Sequence, residues 1–139
     1  QELQNKLLRF GKIALSYTDT HFQVMSAAVT GKNDVVIAVT LSGETPDILE
    51  TLTVTKKNKS KIIVITNHIL SAAAQMANHV LLTAGRETLI DGGSLIAKMS
   101  QLYIIDVLCT GYALQNKDES LKMKHNTAEA VVRKNSGVK

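Results

Sequence analysis

Residues 34–47 read DVVIAVTLSGETPD, and their reading decides the fold. Val35, Val36, Ile37, Ala38 and Val39 form an unbroken apolar run, so Asp34–Val39 is expected to be a strand covered on both faces. A polar turn follows, Thr40-Leu41-Ser42-Gly43-Glu44-Thr45, and a helix opens at Pro46. Proline suits the first helical position because its missing N–H would be unpaired there anyway. Thr45 then falls at the N-cap, where its hydroxyl can hold a free backbone N–H, and Asp47 complements the positive end of the helix dipole. A strand, a hydroxyl-rich loop and a helix N-terminus converge on one spot, which is an arrangement that binds anions, phosphate above all.

The pattern to either side repeats the strand–helix theme. Upstream, Gln1–Phe10 has Leu3, Leu7 and Phe10 at helical spacing, with Gly11 as its stop. Lys12–Tyr17 (KIALSY) reads as a short strand, and Asp19 or Thr20 can cap a helix through Val29. Downstream, the helix from Pro46 runs to about Lys57, Lys61–Thr66 (KIIVIT) is a buried strand, Ser71 caps a short helix through Ala77, and His79–Thr83 (HVLLT) is the last strand. Strands alternating with helices over short connections specify an α/β fold with a parallel sheet. Gly85–Gly93 is a polar loop, and a long helix follows from Ser94 to about Leu114. Its apolar face is wide enough either to meet a second subunit or to pack on both flanks within this chain. A last amphipathic helix starts at Asp118 or Ser120, and Ser136–Lys139 reads as a frayed end.

Composition narrows the function. The 139 residues are 45% hydrophobic, enough for one domain with a proper core. No apolar stretch is long enough to cross a membrane, and the opening QELQNKLLRFGK is charged and amphipathic rather than a secretory signal. The single cysteine, Cys109, excludes an internal disulfide framework, points to a reducing, cytoplasmic setting and reads as a buried structural thiol. A net charge of +4 suits an anionic ligand, while an aromatic content of 4% with no Trp argues against a base-stacking surface. His and Cys show no metal-ligand spacing, and the four Met residues lie on separate helices, so neither a metal site nor a cofactor is expected.

The run from about Asp19 to Leu114 resembles a sugar isomerase (SIS) domain, most closely the effector domain of RpiR-type bacterial transcriptional regulators. The stretches that carry the likeness are YTDTHFQVMSA (17–27), DVVIAVTLSGETPDIL (34–49), KIIVITN (61–67), ANHVLLT (77–83) and GSLIAKMSQLYIIDVL (93–108). The second is similar to the S-x-S-G-x-T phosphate loop of the SIS fold, with Thr40 in place of the first Ser. The last is similar to the long helix of the regulators, reading Ala97-Lys98-Met99-Ser100-Gln101-Leu102 and then Ile105-Asp106. The resemblance implies a three-layer αβα fold with a flavodoxin-like parallel sheet of strand order 2-1-3-4-5. The family's first strand, its G-x-G-x-S loop and the regulators' helix-turn-helix domain have no counterpart here. The expectation is therefore a sugar-phosphate-binding SIS domain over residues 1–139, the C-terminal part of a longer protein, with its inner strand missing.

By spacing alone, Thr40, Ser42, Gly43, Glu44 and Thr45 fit either a phosphate loop or an ordinary capped turn; the resemblance favours phosphate. Glu44 is costly beside a phosphate unless it points away, toward a sugar hydroxyl or a backbone N–H. His21 follows a strand end on the side of the sheet where ligands bind, and His68 stands similarly after the next strand. Glu87 and Arg86 lie in the loop before the long helix. His21 and Glu87 are the candidate sugar contacts, against the plainer reading of solvated side chains. No residue is assigned a catalytic role. The resemblance implies a sensor of a phosphorylated sugar that forms a homodimer or higher homo-oligomer in the cytoplasm and reaches DNA only through the missing domain. The alternatives are an SIS-type aldose–ketose isomerase and a domain that only dimerises.

Overall fold

A computed structural model describes residues 1–84 and 95–135. The elements in chain order are α1 (Glu2–Arg9), α2 (Thr20–Ala28), β1 (Val35–Val39), α3 (Pro46–Lys57), β2 (Lys61–Thr66), α4 (Ala72–Met76), β3 (His79–Leu82), α5 (Leu95–Gln115) and α6 (Lys117–Asn135). They form two compact units, one of Tyr17–Ile104 and one of Gln1–Ser16 with Ile105–Lys139.

The first unit is an αβα arrangement around a parallel sheet of order β1-β2-β3. Ala38 stands opposite Val64 and Val36 opposite Ile62, so the even-numbered side chains of both strands share a face. That face meets Leu52 of α3 and Ala73 of α4 in the main apolar cluster. Leu52, Ile62 and Val64 are almost wholly removed from water. The opposite face carries Ile65, which is fully buried. The start of α5 is tied to the end of the sheet, where Ser100 Oγ accepts the Ala84 N–H at 2.8 Å.

Side chains join the helices at the N-terminal end of the sheet. Asn58, which ends α3, donates to the carbonyls of Ala27 and Ala28 at 3.0 and 3.1 Å. The C-termini of α2 and α3 therefore meet. Asp19 Oδ1 caps the other end of α2, accepting the N–H groups of His21 and Phe22 at 3.0 and 3.2 Å.

Two expectations about strands are corrected. Lys12–Tyr17 is not a strand: no hydrogen-bonded ladder partners it among the described residues, and Ile13 and Leu15 are 87% and 69% exposed. An alternating pattern makes a strand only where a neighbour supplies the ladder. The run at 35–39 is not covered on both sides either. Among the described residues β1 pairs with β2 alone, and Val35 and Val39 are exposed, whereas β2, with a strand on each side, is buried along most of its length.

In the second unit α1 ends as its glycine requires. Gly11 has φ +75°, its N–H bonds Leu8 O, and the Lys12 N–H bonds Leu7 O, both at 3.0 Å. Lys6 pairs with Asp106 at 2.5 Å and Lys12 with Glu119 at 3.1 Å. Phe10 and Tyr112 have ring centroids 6.1 Å apart. Cys109 is buried here and forms no disulfide. No helix among the described residues is long and apolar enough to cross a membrane.

Candidate functional site

The loop between β1 and α3 lies at the C-terminal end of the parallel strands, where open α/β sheets bind ligands. The loop is knitted to itself and to the end of β2. Thr40 is buried; its N–H reaches Ile65 O at 3.0 Å, and its Oγ1 accepts the Gly43 N–H at 3.2 Å. Ser42 Oγ accepts the Glu44 N–H, also at 3.2 Å. Leu41 O takes two donors, the Thr66 hydroxyl at 3.0 Å and the Asn67 N–H at 3.1 Å.

The loop also serves as the N-terminal cap of α4. Glu44 Oε1 accepts the Ala72 N–H at 2.8 Å and Gly43 O accepts the Ala73 N–H at 3.0 Å, while Ser71 Oγ accepts the Ala74 N–H at 3.3 Å. Each opening N–H of α4, which no intrahelical carbonyl can reach, thus has a partner. Ser71 caps the short helix as its sequence position suggests, and Glu44 takes a backbone N–H.

The start of α3 differs from expectation. Thr45 occupies the N-cap and Pro46 follows it, and Thr45 O accepts the Leu49 N–H at 3.1 Å, but the Thr45 hydroxyl makes no capping bond. The side chain is exposed, where water competes for the hydroxyl. Among the described residues the N–H groups of Asp47 and Ile48 consequently have no cap from the Thr45 side chain, which leaves the positive end of the α3 dipole able to meet an anion.

Two threonines at the neighbouring strand ends were not among the candidates: Thr66, whose hydroxyl holds the loop at Leu41 O, and Thr83. Thr66 ends β2 and Thr83 follows β3, and both are buried, as Thr40 is. The Thr83 hydroxyl bonds Asn67 Oδ1, and the Thr83 N–H reaches Thr66 O at 2.9 Å. Their signal was the shared ending of KIIVIT and HVLLT.

Residues 1–111 match the family described as SIS domain. The chain belongs to the SIS domain family. Among the relatives of this SIS domain, the Escherichia coli K12 HTH-type transcriptional regulator RpiR is 34% identical over 119 residues, 86% of this chain and 40% of the relative. An HTH-type transcriptional regulator of Clostridium perfringens is 27% identical over 131 residues, 94% of this chain and 47% of the relative. The chain therefore spans less than half the length of these relatives. A solved structure of the Vibrio vulnificus NanR protein complexed with ManNAc-6P is 28% identical, with a TM-score of 0.85 over 94% of this chain and 49% of that one.

His21 and His68 are the remaining candidates of the SIS domain among the described residues. Because the C-termini of α2 and α3 meet and the helices run side by side, the N-terminus of α2 brings His21 to the same side of the sheet as the loop. His68 is exposed there, its N–H on Thr66 Oγ1 at 3.3 Å and its carbonyl on the Ser71 N–H at 3.2 Å. Glu87 and Arg86 lie outside the described residues. Among the described residues no group of three or more His, Cys, Asp or Glu could hold a metal ion.

Proposed function

We propose that this SIS domain is the sugar-phosphate-sensing effector and dimerisation domain of a bacterial RpiR-type transcriptional regulator that works in the cytoplasm. The observation that carries the reading is the open N-terminus of α3 beside the hydroxyls of Thr40, Ser42 and Thr45. Hydroxyls and backbone N–H groups together hold a phosphate without a cationic side chain. In the free chain the N–H groups of Gly43 and Glu44 rest on Thr40 and Ser42, so a phosphate exchanges these internal bonds for its own. The regulator relatives and the NanR structure, complexed with a sugar phosphate, support the same ligand class. They also favour a sensor over an isomerase, and the Glu44 carboxylate is engaged on α4 rather than free to move a proton.

Pairing of two copies is part of the reading. Leu95, Met99, Leu102 and Tyr103 of α5 are each at least half exposed, and their spacing places them along one side of the helix. A ligand that favours one arrangement of the pair shifts the population, and with it the spacing of two DNA-reading heads.

Thermal unfolding of the intact protein against sugar phosphates and their unphosphorylated sugars tests the reading. A specific ligand at 100 times its dissociation constant adds about 2.7 kcal/mol. A rise in midpoint with phosphorylated sugars only, removed by Ser42→Ala, is the expected result. No shift with any sugar phosphate would overturn it.

A further inference from the structure

We infer that Glu44 is a positioning residue, one that holds the phosphate loop against α4 and takes no part in gripping the ligand. The inference rests on the phosphate reading of the same loop and deepens it.

The loop's position after β1 is fixed at one end by Thr40, whose N–H continues the ladder to β2. From Ser42 onward the chain leaves the sheet, and something else must set its course. Glu44 and Gly43 do so jointly, through the N–H groups of Ala72 and Ala73. The bond from Ala72 is charge-assisted, and a carboxylate at a helix N-terminus suits the local dipole. The contact is close as well as polar. A Cβ on Gly43 would lie 2.2 Å from Ser71 Oγ, so the glycine backbone lies directly on the residue that caps α4.

The tether also answers the electrostatic difficulty of a carboxylate in an anion-binding loop. With its Oε1 on Ala72, the negative charge is held at the start of α4 and the backbone of Thr45 is free to enter α3. Ser42 and Thr45, the hydroxyl-bearing residues on either side, inherit their placement from that anchor. Removing the anchor misplaces the hydroxyls without deleting any of them, whereas removing only its charge leaves them in place.

The test uses the intact protein with inorganic phosphate as the probe, read by calorimetry, together with amide hydrogen exchange at Ala72. Glu44→Gln retains an acceptor oxygen for the Ala72 N–H and loses the charge; Glu44→Ala loses both. The expected result is that Glu44→Ala weakens phosphate binding and speeds exchange at Ala72, each by about tenfold, as loss of one charge-assisted hydrogen bond implies. Glu44→Gln restores both to within about threefold of the parent, since only the weaker neutral bond replaces the charged one. If Glu44→Gln changes phosphate binding by tenfold or more in either direction while Ala72 stays protected, tightening included because a like charge beside the anion has been removed, Glu44 meets the ligand and the inference is wrong. If Glu44→Ala changes neither quantity, the tether has no influence and the inference is equally wrong. If the parent takes no phosphate, the loop's phosphate reading fails and the positioning role fails with it. Faster exchange at Ala72 in Glu44→Ala would then show that the tether itself survives as a purely structural bond.

Discussion

Gly43 and Ser71 stand so close that a Cβ on the glycine would lie 2.2 Å from Ser71 Oγ and 2.5 Å from Ser71 Cβ. Gly43 also has φ +72°, a conformation that side-chain-bearing residues avoid. Gly43→Ala therefore meets two separate obstacles, one in its own backbone and one in its neighbour. The expected cost is about 2–4 kcal/mol in denaturant unfolding, the sum of left-handed strain and overpacking. Adding Ser71→Gly removes the clash and leaves the strain, so the double variant should recover part of the loss. Additive effects of the two substitutions would show that the residues do not press on each other.

Much of the fold was legible because its signals are local. Pro46 marked the start of α3, and Asp19 and Ser71 marked the caps of α2 and α4, each from residues within one helical turn. The site was legible only in outline. Glu44 and Ala72 are 28 positions apart, and only the pairing of β1 with β2 brings them together. The same holds for Asn58, which joins α3 to α2 across 31 positions. The strand expected at Lys12–Tyr17 failed for the converse reason: its pattern is local, but a strand exists only through its partner.

The core predicts where stability is concentrated. Leu52 is fully buried between α3 and the even-numbered face of β1 and β2, beside Ile62 and Val64. Leu52→Ala should cost about 2–5 kcal/mol, the lost transfer energy plus the cavity left behind. Urea unfolding followed by circular dichroism measures it. A loss below 1 kcal/mol would mean that α3 settles onto the sheet and closes the space.

Gly11 makes a different prediction, because its neighbour is yielding. A Cβ there would lie 2.8 Å from Met123 Cγ, within a flexible side chain. The methionine can move, so the backbone at φ +75° dominates. Gly11→Ala should cost about 1–2 kcal/mol and Gly11→Asn less, since Asn tolerates the left-handed region. Trimming Met123 to Ala in the Gly11→Ala background should restore little. Full restoration would place the cost in packing instead.

Cys109 is 3% exposed, and burial pushes its thiol above the ordinary value, with Asp106 and Glu2 adding to the rise and Lys6 opposing it. The thiolate is the form that reacts with iodoacetamide, so at neutral pH the folded chain should alkylate far more slowly than free cysteine. The rate should keep rising at pH values where free cysteine has levelled off. In denaturant both the cover and the shift disappear, and the reaction should match a model thiol. The same shift sets a sign for stability. The folded state holds this proton more tightly than the unfolded one, so the contribution is complete below the ordinary thiol pKa and is lost as pH rises through the folded value. Stability of the parent should thus fall more steeply in that alkaline window than stability of Cys109→Ala. A folded chain that alkylates at neutral pH as fast as free cysteine would place Cys109 at an open surface and remove both expectations.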